Sequence, residues 1–282
     1  MRSRDAIDEA MRGADVVSHL AASVGNTRSI EHPLEDSEIN VIGTLQILEG
    51  ARRQGVRKVV FSSSAGIFGE LKTLPIGEDH AVEPDTPYGA SKLGAEKLCL
   101  AYAKLYPLEC VCLRYFNVYG VNQRYDAYGN VIPIFVHRVL HGQPMIIYGD
   151  GEQTRDFVNV RDVAEANYRA GMNHGVSGAF NIASGTRISI NELAALIGES
   201  TASETGIEYA PPRPGDVRHS LADIGRAREA FGYDPVVTLT RLCLRPSSHV
   251  TLRPIIACVV RWAFDHTARL MTAPVGSELR IP

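Results

Sequence analysis

Apolar residues along the first part of the chain occur either in short continuous runs or at helical spacing. Residues 15–22, 56–62 and 109–115 are short apolar runs, which predict buried strands. Residues 33–54 and 88–105 carry apolar positions that repeat with a helical period. Strands that alternate with helices in this way predict crossover units, so we expect an α/β fold with a parallel sheet.

Polar and small residues follow three of the predicted strands. Ala21 and Ala22 end the first run, the serines 62–64 end the second, and Phe116 and Asn117 follow the third. The carboxyl ends of parallel strands meet at one edge of a sheet, and ligands bind there. The sequence therefore predicts one crevice at this edge.

The pattern changes twice along the chain. We expect residues 1–120 plus about 155–182 to form the sheet domain, and residues 121–154 plus 183–239 to form a smaller α+β domain. Residues 240–282 contain six arginines, two acidic residues, two of the five cysteines and the only tryptophan, without a sustained period. This abrupt change of composition suggests a tail that arose by a shift of reading frame.

Composition excludes several classes of function. The 282 residues are 45% hydrophobic and carry a net charge of −3, without a Lys/Arg block, so we expect no nucleic-acid partner. The longest apolar run, 255–264, is too short to span a membrane. The cysteines lack metal-ligand spacing and are typical of reduced thiols, so we expect a cytoplasmic protein without a metal.

Three residues could carry out proton transfer. Tyr88 and Lys92 are four positions apart and share a helix face, and Ser64 lies at a strand end. A nearby cation favours the phenolate, so Lys92 is expected to lower the pKa of Tyr88. Ser64 could then bind a substrate hydroxyl and relay its proton, which is the half-reaction that a hydride acceptor requires. The alternative interpretation is a surface helix pair and a loop cap.

Five segments in this order carry a family resemblance: FSSSAGIFG, PYGASK, LRYFNVYG, GDGEQTRDFVNVRDVA and PPRPGDVRHSLADI. They resemble the extended short-chain dehydrogenase/reductases, and within these the NAD-dependent UDP-glucose/UDP-N-acetylglucosamine 4-epimerases. The resemblance implies a Rossmann-like sheet, NAD as cofactor, a UDP-sugar as substrate and a homodimer formed through helices 33–54 and 88–105. It also implies that Ser64, Tyr88 and Lys92 are the catalytic triad.

The same resemblance implies two sets of binding residues. NAD would contact Leu20, Ala21, Ala22, Asn40, Ser62, Tyr88, Lys92 and Phe116, although core packing explains Leu20 to Ala22 and Phe116 equally well. The UDP-sugar would contact Ser64, Asn117, Asn130, Val131, Tyr148, Arg155, Arg213, Asp216 and Ser220. The two arginines suit a diphosphate, because a guanidinium binds phosphate oxygens in pairs.

The sugar and the reaction are suggested by single positions. Family members restricted to plain hexoses tend to carry tyrosine where this chain has Ser220, so the small residue suggests room for a 2-acetamido group. Related dehydratases and decarboxylases carry an acidic residue and a threonine near the position of Ser64 and Ala65. This chain has neither an acidic residue nor a threonine there, which favours epimerisation over dehydration or decarboxylation.

One expected motif is missing. The family begins with a GxxGxxG turn, whose backbone amides hold the cofactor pyrophosphate, and this chain contains no such turn. The sequence therefore suggests an N-terminally truncated Rossmann-like domain and leaves two hypotheses. The chain is an NAD-dependent 4-epimerase, or it is a non-catalytic remnant that binds a nucleotide sugar without retaining NAD.

Overall fold

A computed structural model of the chain describes residues 4–123, 130–201, 205–213 and 217–239. The strands in these ranges are β1 (Val16–His19), β2 (Lys58–Ser64), β3 (Glu109–Tyr115), β4 (Asn117–Tyr119), β5 (Met145–Tyr148), β6 (Thr154–Arg155), β7 (Phe157–Asn159), β8 (Gly178–Ile182), β9 (Ile188–Ser189) and β10 (Ile207–Ala210). The α-helices are α1 (Arg4–Ala10), α2 (Asn26–Glu31), α3 (Pro33–Ser37), α4 (Gly43–Gln54), α5 (Pro87–Leu105), α6 (Val131–Leu140), α7 (Val160–Met172), α8 (Ile190–Thr201) and α9 (Gly225–Phe231).

The main sheet has the strand order β1-β2-β3-β8, and all three pairings are parallel. The prediction of an α/β fold with a parallel sheet is confirmed. Ser64 lies opposite Tyr115 of β3, and Tyr115 lies opposite Ile182 of β8. The carboxyl ends of these three strands therefore lie side by side.

Both faces of β2 and β3 are buried, as expected for parallel strands. Because side chains alternate along a strand, Val59 and Phe61 pack with α1, α4 and α5, while Val60 packs with α7 and α9. A separate core joins α6, α8 and β5 through residues such as Phe135, Leu193 and Ile147. Three two-stranded sheets complete the fold: β4 with β7, β5 with β10, and β6 with β9.

Two element boundaries differ from the sequence-based prediction. The helix predicted over 33–54 contains a π-helical segment, Glu38–Ile42, between α3 and α4. Such segments are frequent at functional sites. The strand predicted to end at residue 62 runs on to Ser64, so all three serines belong to β2. Gly55 ends α4 in the left-handed conformation, as its position after the apolar repeat predicts.

The start of α5 packs against the turn that follows β2 through two glycines, Gly89 and Gly66. A Cβ added to Gly89 would lie 2.3 Å from the carbonyl oxygen of Gly66 and 2.9 Å from Pro84 Cβ. Because a backbone oxygen and a ring carbon have little room to move, only glycine fits at position 89. The PYG sequence thus brings Tyr88 close to the serine end of β2.

We expect Gly89→Ala to destabilise the fold by about 1–3 kcal/mol, since the added methyl group overpacks this contact. Gly94→Ala in the same helix is the matched control, because its Cβ would meet Val41 Cγ2 at 3.7 Å, an ordinary contact distance. In the control, the gain in helix propensity should raise the free energy of unfolding by about 0.5–1 kcal/mol. Urea unfolding measures both variants, and equal effects would contradict the close packing.

Candidate active site

Ser64 and Tyr88 meet where β2 ends and α5 begins. The Ser64 hydroxyl oxygen accepts a hydrogen bond from the Gly66 backbone N–H at 3.1 Å. A Cβ added to Gly66 would lie 3.3 Å from Ser64 Oγ and 3.7 Å from Tyr88 Cε1, so the two side chains are neighbours. The helix start is fixed by Thr86, whose hydroxyl oxygen accepts from the Gly89 N–H at 3.2 Å, with Pro87 as the first helical residue. The predicted serine–tyrosine pair is therefore present in the structure.

Lys92 lies one helical turn beyond Tyr88 and is 3% exposed. Its Nζ donates a hydrogen bond to the Ser62 carbonyl oxygen at 2.9 Å and lies 6.0 Å from the centre of the Tyr88 ring. Burial lowers the pKa of Lys92 to about 8, against the opposing effect of the Asp36 carboxylate. The structure thus places a buried ammonium group beside the predicted base.

The pKa of Tyr88 differs from the sequence-based expectation. Burial raises this pKa, the neighbouring Ser64 hydroxyl lowers it, and the charge of Asp36 raises it further, with a net upward shift. The expectation that Lys92 lowers the pKa of Tyr88 is wrong for this structure. The physical reason is that desolvation of the phenolate dominates, while the ammonium group of Lys92 donates to Ser62 instead.

Asn40 links the loop after β1 to the helix that carries Tyr88 and Lys92. Its Oδ1 accepts from the Ser23 N–H at 2.8 Å, and its Nδ2 donates to the Ser23 carbonyl at 3.0 Å. The same Nδ2 contacts Asp36 Oδ1 at 3.2 Å and Ser91 Oγ at 3.0 Å. Asn40 is 2% exposed, so these contacts favour an indirect role in which it shapes the cofactor-side loop.

The other predicted cofactor contacts differ in how far they are buried. Leu20 is 61% exposed and Ala21 is also exposed, so core packing does not explain this part of the loop. Phe116 is 8% exposed and packs with Phe68 at a ring distance of 6.3 Å, which favours core packing for its side chain. The Ser62 hydroxyl is hydrogen-bonded to the Tyr115 hydroxyl at 3.1 Å.

A buried ion pair that the sequence reasoning missed lies behind the serines. Glu96 is fully buried and is bound by Arg114 through two hydrogen bonds, Nη2 to Oε1 at 2.7 Å and Nε to Oε2 at 3.1 Å. Ser63 Oγ donates to Glu96 Oε2 at 2.6 Å. Glu96 could have been identified from the sequence as a residue near the site, because it is four residues after Lys92 and shares its helix face.

Three of the predicted substrate residues lie close to one another beyond the ends of β3 and β8. Asn117 Nδ2 donates to the Asp156 carbonyl at 3.1 Å, and Arg155 directly precedes Asp156. The Ser220 N–H donates to the Thr154 carbonyl at 3.1 Å, and Ser220 is 7% exposed. The structure therefore brings Asn117, Arg155 and Ser220 together around β6.

The remaining predicted substrate residues are more scattered. The Arg213 guanidinium lies over the Tyr148 ring, 3.8 Å from its centre. Asn130 is exposed at the start of α6 and its amide contacts the Val118 carbonyl at 3.5 Å, while Val131 is half-buried in the first helical turn. Asp216 lies outside the described residues.

The donor set suits the nicotinamide end of NAD. A buried ammonium group, a phenol and the loop 20–22 border the carboxyl ends of β1 and β2, where a Rossmann-like sheet binds its cofactor. Among the described residues, no group of three or more His, Cys, Asp or Glu side chains could hold a metal ion. In those ranges, every helix is too short or too polar to cross a membrane.

Comparisons with known proteins show which family the chain resembles. The family model for the NAD dependent epimerase/dehydratase family matches residues 1–183. A UDP-glucose 4-epimerase of Mycolicibacterium smegmatis is 40% identical over 226 residues, which is 80% of this chain and 72% of the relative.

Solved structures of epimerases are similar to the chain over most of its length. UDP-glucose 4-epimerase of Thermotoga maritima with UDP-glucose has a TM-score of 0.82 and 36% identity, covering 86% of this chain and 79% of the other. UDP-N-acetylglucosamine 4-epimerase of Methanobrevibacter ruminantium with UDP-N-acetylmuramic acid has a TM-score of 0.79 and 35% identity, covering 82% and 74%. These matches confirm the resemblance: the chain belongs to the NAD-dependent epimerase/dehydratase family.

Proposed function

We propose that this chain catalyses the NAD-dependent 4-epimerisation of a UDP-sugar through a 4-keto sugar. The observation that carries the proposal is the close approach of Ser64 and Tyr88 beside Gly66, with Lys92 buried one helical turn away. The names of the relatives support the same reaction, since they include UDP-glucose 4-epimerases and a UDP-N-acetylglucosamine 4-epimerase.

Tyr88 is the proposed base and acid of the reaction. Its phenolate oxygen takes the proton of the sugar 4-hydroxyl, Ser64 orients that hydroxyl, and the proton returns after the keto sugar has turned over. When bound, NAD supplies the hydride acceptor and, in its oxidised form, a positive charge that favours the phenolate. Without that charge, burial keeps the pKa of Tyr88 raised, so the phenol stays protonated until the site is loaded.

Lys92 and the loop after β1 form the proposed cofactor side. The ammonium group of Lys92 is fixed by the Ser62 carbonyl and would bind the nicotinamide ribose hydroxyls. Leu20, Ala21 and Ala22 would border the cofactor, while Asn40 would act by holding Ser23 in place.

The proposed substrate side holds the UDP group. Arg155 and Arg213 would bind the diphosphate, because two guanidinium groups neutralise its charge and offer paired donors. Asn117 would add a donor to the phosphates, Tyr148 would contact the base, and Asn130, Val131 and Asp216 would complete the nucleotide–sugar groove. The position of Arg213 over the Tyr148 ring supports a shared binding surface for the two residues.

Ser220 is the proposed determinant of sugar size. It is buried, and its backbone N–H donates to the carbonyl oxygen of Thr154, the residue before Arg155. A serine there leaves more room than a tyrosine for a 2-acetamido group. We therefore propose that UDP-N-acetylhexosamines are accepted as well as UDP-hexoses.

We further propose a cytoplasmic homodimer of a sheet domain, residues 1–120 and about 155–182, and a substrate domain, residues 121–154 and 183–239. The free cysteines Cys99, Cys110 and Cys112 are all buried, which is typical of proteins from a reducing compartment. The dimer would form through the outer faces of α4 and α5. Sedimentation velocity would distinguish a dimer from a monomer.

Tyr88→Phe should lower the rate of UDP-glucose epimerisation by at least about 100-fold, because it removes the group that moves the proton. Affinity for UDP should change less than about twofold, since the phenol oxygen does not bind the nucleotide. Tyr102→Phe is the matched control, because this tyrosine of the same helix bonds Glu49 at 2.7 Å, away from the serines. A coupled assay measures the rate of epimerisation, and calorimetry measures the affinity for UDP.

Two results would argue against the proposal. Equal loss of activity in Tyr88→Phe and Tyr102→Phe would show that the phenol at position 88 has no special role. An unaltered chain that binds UDP but does not turn over with added NAD would instead support the non-catalytic binding hypothesis.

Ser220→Tyr should lower kcat/KM for UDP-N-acetylglucosamine by about tenfold or more, while kcat/KM for UDP-glucose stays within about threefold, because the larger ring fills the space of the acetamido group. Ser220→Ala is the control and should keep both activities, since it leaves the space open. An equal loss of kcat/KM for both substrates in Ser220→Tyr would mean that position 220 does not select the sugar.

A further inference from the structure

The carboxylate of Asp156 is a buried junction that the proposed reaction does not use. Asp156 is fully buried and lies between β6 and β7. Its Oδ1 accepts from the Ser184 N–H at 2.8 Å and from the Ser184 hydroxyl at 2.7 Å. Its Oδ2 accepts from the Gly185 N–H at 3.1 Å and from the Ala222 N–H at 3.2 Å. Four donors thus converge on one carboxylate.

These donors belong to the two segments that flank β6. Ser184 and Gly185 follow β8 and lead into β9, which pairs with β6 in antiparallel register. On the other side of β6, Thr154 is bridged to His219, and the segment continues through Ser220 to Ala222. The side chain of Asp156 therefore ties together both neighbours of the strand that carries Arg155.

The backbone of the same residue reaches the third substrate residue. The Asp156 carbonyl accepts from both the Asn117 N–H at 3.2 Å and Asn117 Nδ2 at 3.1 Å. Asn117 follows β3, whose end lies opposite Ser64. Residue 156 is thus linked to the residues proposed for the phosphates and the sugar, and through Asn117 to the edge that carries the proton-transfer site.

We infer that Asp156 is the positioning residue of the nucleotide-sugar site, because its carboxylate fixes the segment that carries Ser220, and the turn at Ser184, on either side of Arg155. The inference rests on the proposed binding of a UDP-sugar. Asp156 itself does not touch the substrate; it sets the separation between the guanidinium group that binds the diphosphate and the residue that faces the sugar.

The chemistry of the junction makes Asp156→Asn an informative change. An amide has nearly the same shape as the carboxylate but presents one acceptor oxygen and one NH₂ donor. Turned towards Gly185 and Ala222, the NH₂ group would face two N–H donors. Turned towards Ser184, it would face the Ser184 N–H, while the Ser184 hydroxyl can accept from it and donate to Thr186 instead. In either orientation at least one flank of β6 loses a hydrogen bond while the volume of the side chain is kept.

Asp162→Asn is the matched control. Asp162 is 4% exposed, and its two carboxylate oxygens accept from the Val236 and Val237 N–H groups, each at 3.1 Å. It is a buried aspartate with the same kind of backbone partners, yet none of its partners carries a proposed substrate residue. It reports the effect of losing a buried carboxylate that does not organise the site.

The test is UDP binding by calorimetry to the full chain, together with the melting temperature of each variant. We expect Asp156→Asn to raise the Kd for UDP about tenfold or more, and Asp162→Asn to change it less than about twofold at a similar loss of melting temperature. In turnover of UDP-glucose, Asp156→Asn should raise KM while kcat stays within about threefold. Equal Kd values in the two variants would overturn the inference.

Two further outcomes separate the possible failures. If the unaltered chain does not bind UDP, the proposed function fails and the inference with it, whereas binding that survives Asp156→Asn overturns the inference alone. If Asp156→Asn does not fold, Ser184→Ala removes the hydroxyl donor to Asp156 Oδ1. That variant should weaken UDP binding about threefold, and unchanged binding would assign Asp156 to the fold only.

Discussion

The buried ion pair of Glu96 and Arg114 is the constraint on which the proton-transfer site depends. It joins three elements, because Glu96 belongs to α5, Arg114 to β3, and Ser63 of β2 donates to Glu96. Arg114 also donates to the Glu78 carbonyl at 2.8 Å, in the segment between β2 and α5. Removing one partner of such a pair costs about 3–5 kcal/mol, whereas replacing both by apolar residues is often neutral. The pair therefore accounts for geometry more than for net stability.

That geometry sets the distance between strand and helix at the point where chemistry is proposed. Ser63 is bound to Glu96, the neighbouring Ser62 carbonyl is bound to Lys92, and Ser64 lies beside Tyr88. Two consecutive residues of β2 are thus hydrogen-bonded to α5, and the third lies against its first turn. Gly89 permits this approach because any side chain there would meet the Gly66 carbonyl. Asp156 acts in the same way on the proposed substrate side, so each half of the proposed site is held by one buried carboxylate.

The sequence predicted those parts of the site that depend on local pattern. Ser64, Tyr88 and Lys92 could be found because a strand end and a helix spacing of four residues are visible in the sequence. Asn117, Arg155 and Ser220 were named through family resemblance, and the structure brings them together around β6. The parallel order of the main sheet also followed from the alternation of strands and helices.

Other features depend on contacts between distant segments and could not be predicted in this way. The partner of Glu96 is 18 residues away, and the donors to Asp156 come from positions 28, 29 and 66 residues later in the chain. The upward shift in the pKa of Tyr88 results from burial, which depends on tertiary packing. The π-helical segment was missed because Glu38 to Ile42 keeps an ordinary helical pattern of apolar residues.

The most direct test of the account is the fate of hydrogen at C4 of the sugar. The purified chain would be incubated with UDP-glucose and NAD in D₂O, and the UDP-galactose formed would be analysed by NMR. We expect product without deuterium at C4, because that hydrogen leaves and returns as hydride while only the hydroxyl proton passes through Tyr88 and exchanges with solvent. Deuterium at C4, or no UDP-galactose with NAD in excess, would contradict it.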